Sequence, residues 1–130
     1  VVIDEYFVDG SLTTTDATPS EILFNTPSGL FDLQGVDCVV RAEIRILAVD
    51  TATGDCKEWK GAKIIKNIAG ATSTNNIETV VSVYSDLSMV TCTANMYDDA
   101  TPQSIEVGIV GIAATTIEWK CYVNFLRINL

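Results

Sequence analysis

Residues 115–130, TTIEWKCYVNFLRINL, decide the reading of this chain. Ile117, Trp119, Cys121, Val123 and Phe125 fall on one side of an extended strand, and Glu118, Lys120, Tyr122 and Asn124 fall on the other. Apolar residues at period two mark a half-buried strand, and no helical stripe fits these positions as well. At about 3.3 Å per residue, the alternating segment crosses roughly 30 Å, the width of a small domain. A strand of that length predicts the central stave of a sheet, from which the others take their register.

Working outward, the same period recurs. Residues 36–49 read as a second long strand, with Cys38, Val40, Ala42, Ile44, Ile46 and Ala48 inward and Arg41, Glu43 and Arg45 marking the solvent or subunit face. Residues 50–55 (DTATGD) form a hairpin loop in which Gly54 takes a positive φ. The chain returns through residues 56–68, with Trp59 and Ile64 apolar and Lys57, Lys60, Lys63 and Lys66 outward. The alternation slips at Gly61-Ala62, which predicts a β-bulge there. Shorter strands are expected at 1–8, 11–15, 21–26, 77–85, 89–96 and 104–112. Gly10, Pro19, the Pro27-Ser28-Gly29 break, the polar run 70–76 and turns at 86–88, 97–103 and 113–115 separate them. Eight or nine strands with no amphipathic helix predict an all-β fold, an antiparallel β-sandwich or jelly-roll-like arrangement. The expected organisation is an N-terminal strand or arm at 1–10, reaching a neighbouring subunit, and a single β-sandwich domain at 11–130. Its core would include Trp59, Trp119, Ile44, Ile46, Val107, Ile109, Val123 and Phe125. Residues 89–130 read as a three-stranded meander.

The totals narrow the functions. The 130 residues suffice for one core, and the net charge of −9, with eight Lys and Arg scattered along the sequence, argues against nucleic acid. The absence of His removes Ser-His-Asp triads, Cys-His dyads and His-ligated zinc. No run reaches the length of a transmembrane helix, so membrane insertion is not expected. The start at Val-Val-Ile-Asp reads as that of a processed or excised chain without a signal peptide.

Cys38, Cys56, Cys92 and Cys121 show no CxxC spacing, and each falls in a strand-like run, so reduced, buried thiols are expected. In the meander, Cys92 and Cys121 would lie two strand spacings apart, roughly 9–10 Å, beyond disulfide reach.

Carboxylates gather at Asp4-Glu5, at Asp98-Asp99 and around Asp50 and Asp55, a composition that suits calcium or a glycosidase pair. No EF-hand pattern occurs, and adjacent strand residues point to opposite faces. Solvated turns are the plainer reading, and no catalytic, cofactor-binding or metal residue is assigned. Among the aromatics, Trp59 and Trp119 sit in apolar alternations and read as core rather than as a sugar platform. Tyr122, with Lys120 and Asn124 on the polar face of the last strand, is the candidate for a subunit interface or ligand face; Tyr97 is another.

With the strands placed, the order of motifs resembles a small β-rich domain of tailed-phage virion structural proteins, found in tail fibres, spikes and related head or tail surface proteins. The resembling pieces are TTTDATPSEILF (13–24), VVRAEIRILAVDTATGD (39–55), EWKGAKIIKNIAGATS (58–73) and IEVGIVGIAATTIEWKCYV (105–123). The last resembles the family's closing pattern, in which a strand ends in Gly (Gly111), turns tightly and continues as a strand carrying Trp (Trp119). Family members usually carry few cysteines, and four is a departure. The resemblance implies a non-enzymatic building block of the virion, assembled in the host cytoplasm as a trimer beside other capsid or tail proteins. It transfers no binding residues. Outward apolar residues Val39, Leu47, Leu126 and Leu130 are the expected self-association positions. The competing expectation is a module for a host surface glycan or receptor, built on Tyr97, Asp98 and Asp99. An enzyme is the least expected class.

Overall fold

A computed structural model describes the backbone of residues 2–26, 31–33, 36–100 and 103–130, and their side chains except at 2–4, 6, 31, 32, 74–78, 98–100 and 103. The described strands are β1 (Val2–Thr14), β2 (Ser20–Ile22), β3 (Phe31–Asp32), β4 (Cys38–Asp50) and β5 (Cys56–Ile68). They continue with β6 (Ala71–Ser85), β7 (Thr93–Ala100), β8 (Gln103–Val110) and β9 (Ile117–Asn129), with one 3-10 turn at Leu87–Met89. The larger sheet has the order β1-β9-β4-β5-β6; the smaller has β2-β8-β3, with β7 also on β8, and every pairing is antiparallel. The fold is all-β and sandwich-like.

The larger sheet follows from its alternation. β4 and β9 run in unbroken register from Cys38↔Asn129 to Asp50↔Ile117, and β4 and β5 from Cys38↔Asn67 to Val49↔Cys56. Cα partners share a face, so Trp119, Cys121, Val123 and Phe125 of β9 line up with Ala48, Ile46, Ile44 and Ala42 of β4. These face Ile22, Met96, Ile105, Val107 and Ile109 of the smaller sheet in one continuous core. Trp59 and Trp119 stack at its centre, with ring centroids 5.6 Å apart and planes at 21°. The Trp119 indole N–H donates to Thr14 Oγ1 at 2.8 Å, so its one polar atom is satisfied inside.

Several expectations are corrected. β9 is an interior strand, but the centre of the sheet is β4. The meander does not form: β8 pairs with β7, β2 and β3, whereas β9 pairs with β1 and β4. Both β8 and β9 carry an apolar inner face, and stacking those faces across the core buries more than pairing the strands edge to edge. The link between them passes Gly111, where a Cβ would stand 2.7 Å from both Thr14 Oγ1 and the Asp16 carbonyl oxygen, and Ala114, at φ +55°. Cys92 and Cys121 therefore belong to opposite layers, and all four cysteines are unpaired.

Gly10 does not end β1, which runs on to Thr14 opposite β9. Gly10 is there because β2 crosses close by: a Cβ would collide with the Leu23 carbonyl oxygen and stand 2.8 Å from Ile22 Cγ2. The polar run 71–76 belongs to β6, turned by Ala69 and Gly70 at φ +50° and +80°. The expected strand at 89–96 begins only at Thr93, after the 3-10 turn, and leaves Val90 exposed. The bulge near Gly61 lies in the β5–β6 ladder, with register shifts at Glu58/Trp59, Lys60/Ala62 and Ala62/Lys63, while the β4 side stays regular. The break at 27–29 lies outside the described residues.

The largest correction concerns β5. Lys57 and Lys63 pair with Ala48 and Ala42, inward-facing residues of β4, and both are buried. The Lys57 ammonium donates to the carbonyls of Val90 and Cys92 at 2.9 and 2.8 Å, and lies 5.1 Å from the centre of the Trp59 ring. Lys63 Nζ donates to the Met96 carbonyl and to Asn95 Oδ1. Two buried cations thus tie the larger sheet to the chain leading into and along β7, and backbone carbonyls replace the water they have lost. Asn67 extends the same row, donating to the carbonyls of Leu33 and Val36 at 2.8 Å each.

Candidate functional surface

The outer face of the larger sheet is built in rows that cross β1, β9, β4 and β5. One row reads Asp9, Tyr122, Arg45, Lys60; the rows beside it read Phe7, Asn124, Glu43, Ala62 and Ser11, Lys120, Leu47, Glu58. Beyond these lies Glu5, Leu126, Arg41, Ile64. The residues expected as an interface or ligand face, Tyr122, Lys120 and Asn124, therefore lie together in the middle of this surface. Arg41, Glu43 and Arg45 join them because β4 is the neighbour of β9.

Cations scattered in sequence are gathered here. Arg41, Arg45, Lys60, Lys66 and Lys120 take outward positions on these strands, although they are scattered along the sequence. Carboxylates interleave with them. Lys120 Nζ meets Asp9 Oδ2 at 2.6 Å, Arg41 meets Glu43 at 3.1 Å and Arg45 meets Glu58 at 3.5 Å. The Lys120 ammonium, by hydrogen bond and charge, holds the Asp9 carboxyl below the usual carboxylate range. Between the charges stand exposed Phe7, Leu47, Tyr122 and Leu126. Phe7 stacks on Tyr122 with ring centroids 5.1 Å apart. Shallow hollows of about 290 and 270 Å³ flank Tyr122, one toward Asn124 and Glu43, the other toward Lys120 and Leu47.

Tyr97 lies elsewhere, on the outer side of the smaller sheet. Its ring packs over Gly108, where a Cβ would stand 2.8 Å from Tyr97 Cε1, and it borders a hollow of about 450 Å³ with Pro19, Glu21 and Asn95. It is 40% exposed. The side chains of Asp98 and Asp99, named with it, and of Asp4 lie outside the described residues.

Three other carboxylates are engaged locally, by backbone N–H groups and by hydroxyls. Asp50 accepts from the Ala52 N–H, and Asp55 accepts from Ser88 Oγ at 2.6 Å. Asp86 accepts from the Tyr84 hydroxyl at 2.7 Å and the Cys56 N–H at 2.8 Å, which lowers its pKa. Tyr84 is raised by the same hydrogen bond. No group of three His, Cys, Asp or Glu residues placed to hold a metal occurs among the described residues. Burial raises the thiols of Cys38 and Cys92 and pushes that of Cys121 up to about 11, so these sulfurs stay protonated at neutral pH.

The expected core residues Trp59, Trp119, Ile44, Ile46, Val107, Ile109, Val123 and Phe125 are all buried. Sequence reasoning missed Phe7 as the companion of Tyr122, because nothing in the sequence announces that β1 lies beside β9. The chemistry this arrangement offers is adhesion, through aromatic and aliphatic contacts among balanced charges.

No family model matches the chain, and no curated protein does. Among solved structures it is similar to the tailspike protein of Acinetobacter phage vB_ApiP_P1, with 11% identity and a TM-score of 0.45 over 98% of this chain and 22% of that one. It is similar to tailspike protein gp49 of Acinetobacter baumannii bacteriophage Fri1, a capsular polysaccharide depolymerase, with 15% identity and a TM-score of 0.47 over 98% of this chain and 20% of that one. The tailspike protein of Acinetobacter baumannii phage AM24 gives 9% identity and a TM-score of 0.44 over 98% and 26%. The chain thus spans about a fifth to a quarter of the length of the tailspike chains it matches.

Proposed function

We propose that this chain is a non-enzymatic structural module at the surface of a tailed-phage particle, a self-associating domain of a fibre or spike or of a head decoration. Its place is the virion, assembled in the host cytoplasm, and its state there is a trimer in contact with other virion proteins. The observation that carries this reading is the division of labour in the larger sheet. The inner face of β4 and β9 is filled by Trp, Ile, Val, Ala, Cys and Phe, while the outer face alternates exposed aromatic and aliphatic residues with paired charges. Such a face suits contact with other protein surfaces. The order of sequence motifs supports the phage setting. Immunogold electron microscopy of particles carrying the gene is expected to label the tail or head surface; antigen confined to the soluble fraction of infected cells would overturn it.

Tyr97 supports a second reading, a glycan- or receptor-binding module at a fibre tip. An exposed aromatic ring beside an amide and a carboxylate, Asn95 and Glu21, is the composition that stacks and hydrogen-bonds a sugar. Saturation-transfer NMR against host surface glycans is its test. Signals abolished by Tyr97→Ala are the supporting result, and their absence from the wild type removes it.

A further inference from the structure

We infer that the outer face of the larger sheet, centred on Tyr122, is the surface through which one copy of this chain packs against another. The inference rests on the structural reading above and names the surface that reading leaves unassigned.

Charge is the first argument. Five of the eight Lys and Arg residues lie outward here (Arg41, Arg45, Lys60, Lys66 and Lys120), and so do five carboxylates (Glu5, Asp9, Glu43, Glu58 and Glu118). On these four strands, β1, β9, β4 and β5, the outward charges sum to zero within a chain of net charge −9, so the rest of the molecule carries the negative excess. Two copies that meet through this face bring no net like charge together, whereas the remaining surface carries the excess.

Second, six of these ten charges pair with one another within the face. Lys120–Asp9, Arg41–Glu43 and Arg45–Glu58 each lie within 3.5 Å in one copy. Covering these three pairs buries no lone ion among them and demands no counter-charge for them from the partner. The same pairing counts against an acidic polymer as the occupant, because the face offers it no net positive field.

The third argument is size and composition. Four strands at about 4.8 Å by about ten residues at about 3.3 Å give roughly 600 Å² in flat projection, and side-chain relief adds to that. Stable interfaces bury about 800 Å² per partner. Phe7, Leu47, Tyr122 and Leu126 are 42–63% exposed, and supply the apolar and aromatic content that the centre of such an interface needs.

Sedimentation equilibrium of the 130-residue chain from about 1 to 200 µM tests this. Reversible association is expected in the wild type. Tyr122→Lys and Leu126→Lys are each expected to weaken it by about tenfold or more, with far-UV circular dichroism and melting unchanged. Leu87→Lys, in the exposed 3-10 turn outside both sheets, is expected to leave it intact. Because the ion pairs are internal, raising salt from about 50 to 500 mM should change the constant by less than about threefold. If Tyr122→Lys fails to fold, Leu47→Lys replaces it. A wild-type monomer over the whole range overturns the inference, as does association that survives both lysine variants or disappears with Leu87→Lys. A monomeric chain found on particles would remove this inference and the trimer with it, and leave only the placement on the virion standing. An oligomer absent from particles would do the reverse.

Discussion

β9 and β5 lie on either side of β4 and share its register, yet one strand keeps only apolar residues inward through most of its length and the other does not. From Ile117 to Phe125 the inner face of β9 is Ile, Trp, Cys, Val and Phe, and all five are buried. The inner face of β5 reads Lys57, Trp59, Gly61, Lys63, Ile65 and Asn67, and all six are buried too. Burial therefore follows the pleat, and the chemistry at each inward position adapts to what stands opposite. β9 faces side chains that need only filling. β5 faces the approach to β7, whose carbonyls need donors, and lysines provide them.

The hardest way to break this comparison is to hollow out β9. Trp119→Ala removes one half of the central stack and leaves a cavity beside Trp59, and should cost about 3–5 kcal/mol in urea unfolding. A smaller effect is expected at β5. Lys57→Met keeps most of the stem volume and removes the ammonium from two backbone carbonyls, which should cost about 1–3 kcal/mol. The outward Lys60→Met should stay within about 0.5 kcal/mol. Equal costs for the two lysine variants would show that Lys57 is not a structural donor.

The smallest effect sits where β5 begins. Asp86 accepts from the Tyr84 hydroxyl and the Cys56 N–H, and both hold its pKa below the ordinary 3.8. A carboxyl whose folded pKa is depressed contributes stability above its unfolded pKa and loses that contribution as pH falls through the folded value. Melting temperature should therefore drop as the pH is taken below about 4, and the drop should be shallower in Asp86→Asn. An identical acid limb in the variant would assign the loss to other carboxyls, Asp9 first.

How much of this was legible in the sequence depended on whether one period was enough. β4 and β9 were legible because apolar and polar residues alternate without interruption. β5 carried the same information in weaker form: Trp59 and Ile65 have the same parity, which places Lys57 and Lys63 inward, but Ile64 breaks the pattern and a lysine is expected outside. Residues 71–76 looked like a loop because Thr, Ser and Asn form turns readily, although hydrogen bonds to β5 hold them extended just as well. The outer surface was half legible. Tyr122, Lys120 and Asn124 follow from β9 alone, whereas Phe7, Arg45 and Lys60 join them only through strand pairings between distant segments. Sequence period gives the faces of a strand but not its neighbours.

The two inward lysines have a consequence for what this domain avoids. β7 pairs with β8 alone, so its other side presents backbone carbonyls that a foreign strand could adopt as a template. Lys63 occupies the carbonyl of Met96 within β7, and Lys57 those of Val90 and Cys92 just before it, from within the molecule. They act as a decoy neighbour, short enough to add no strand and charged enough to repel one. At Met96 the edge is thus already engaged, and a foreign strand would have to displace a charged group to pair there.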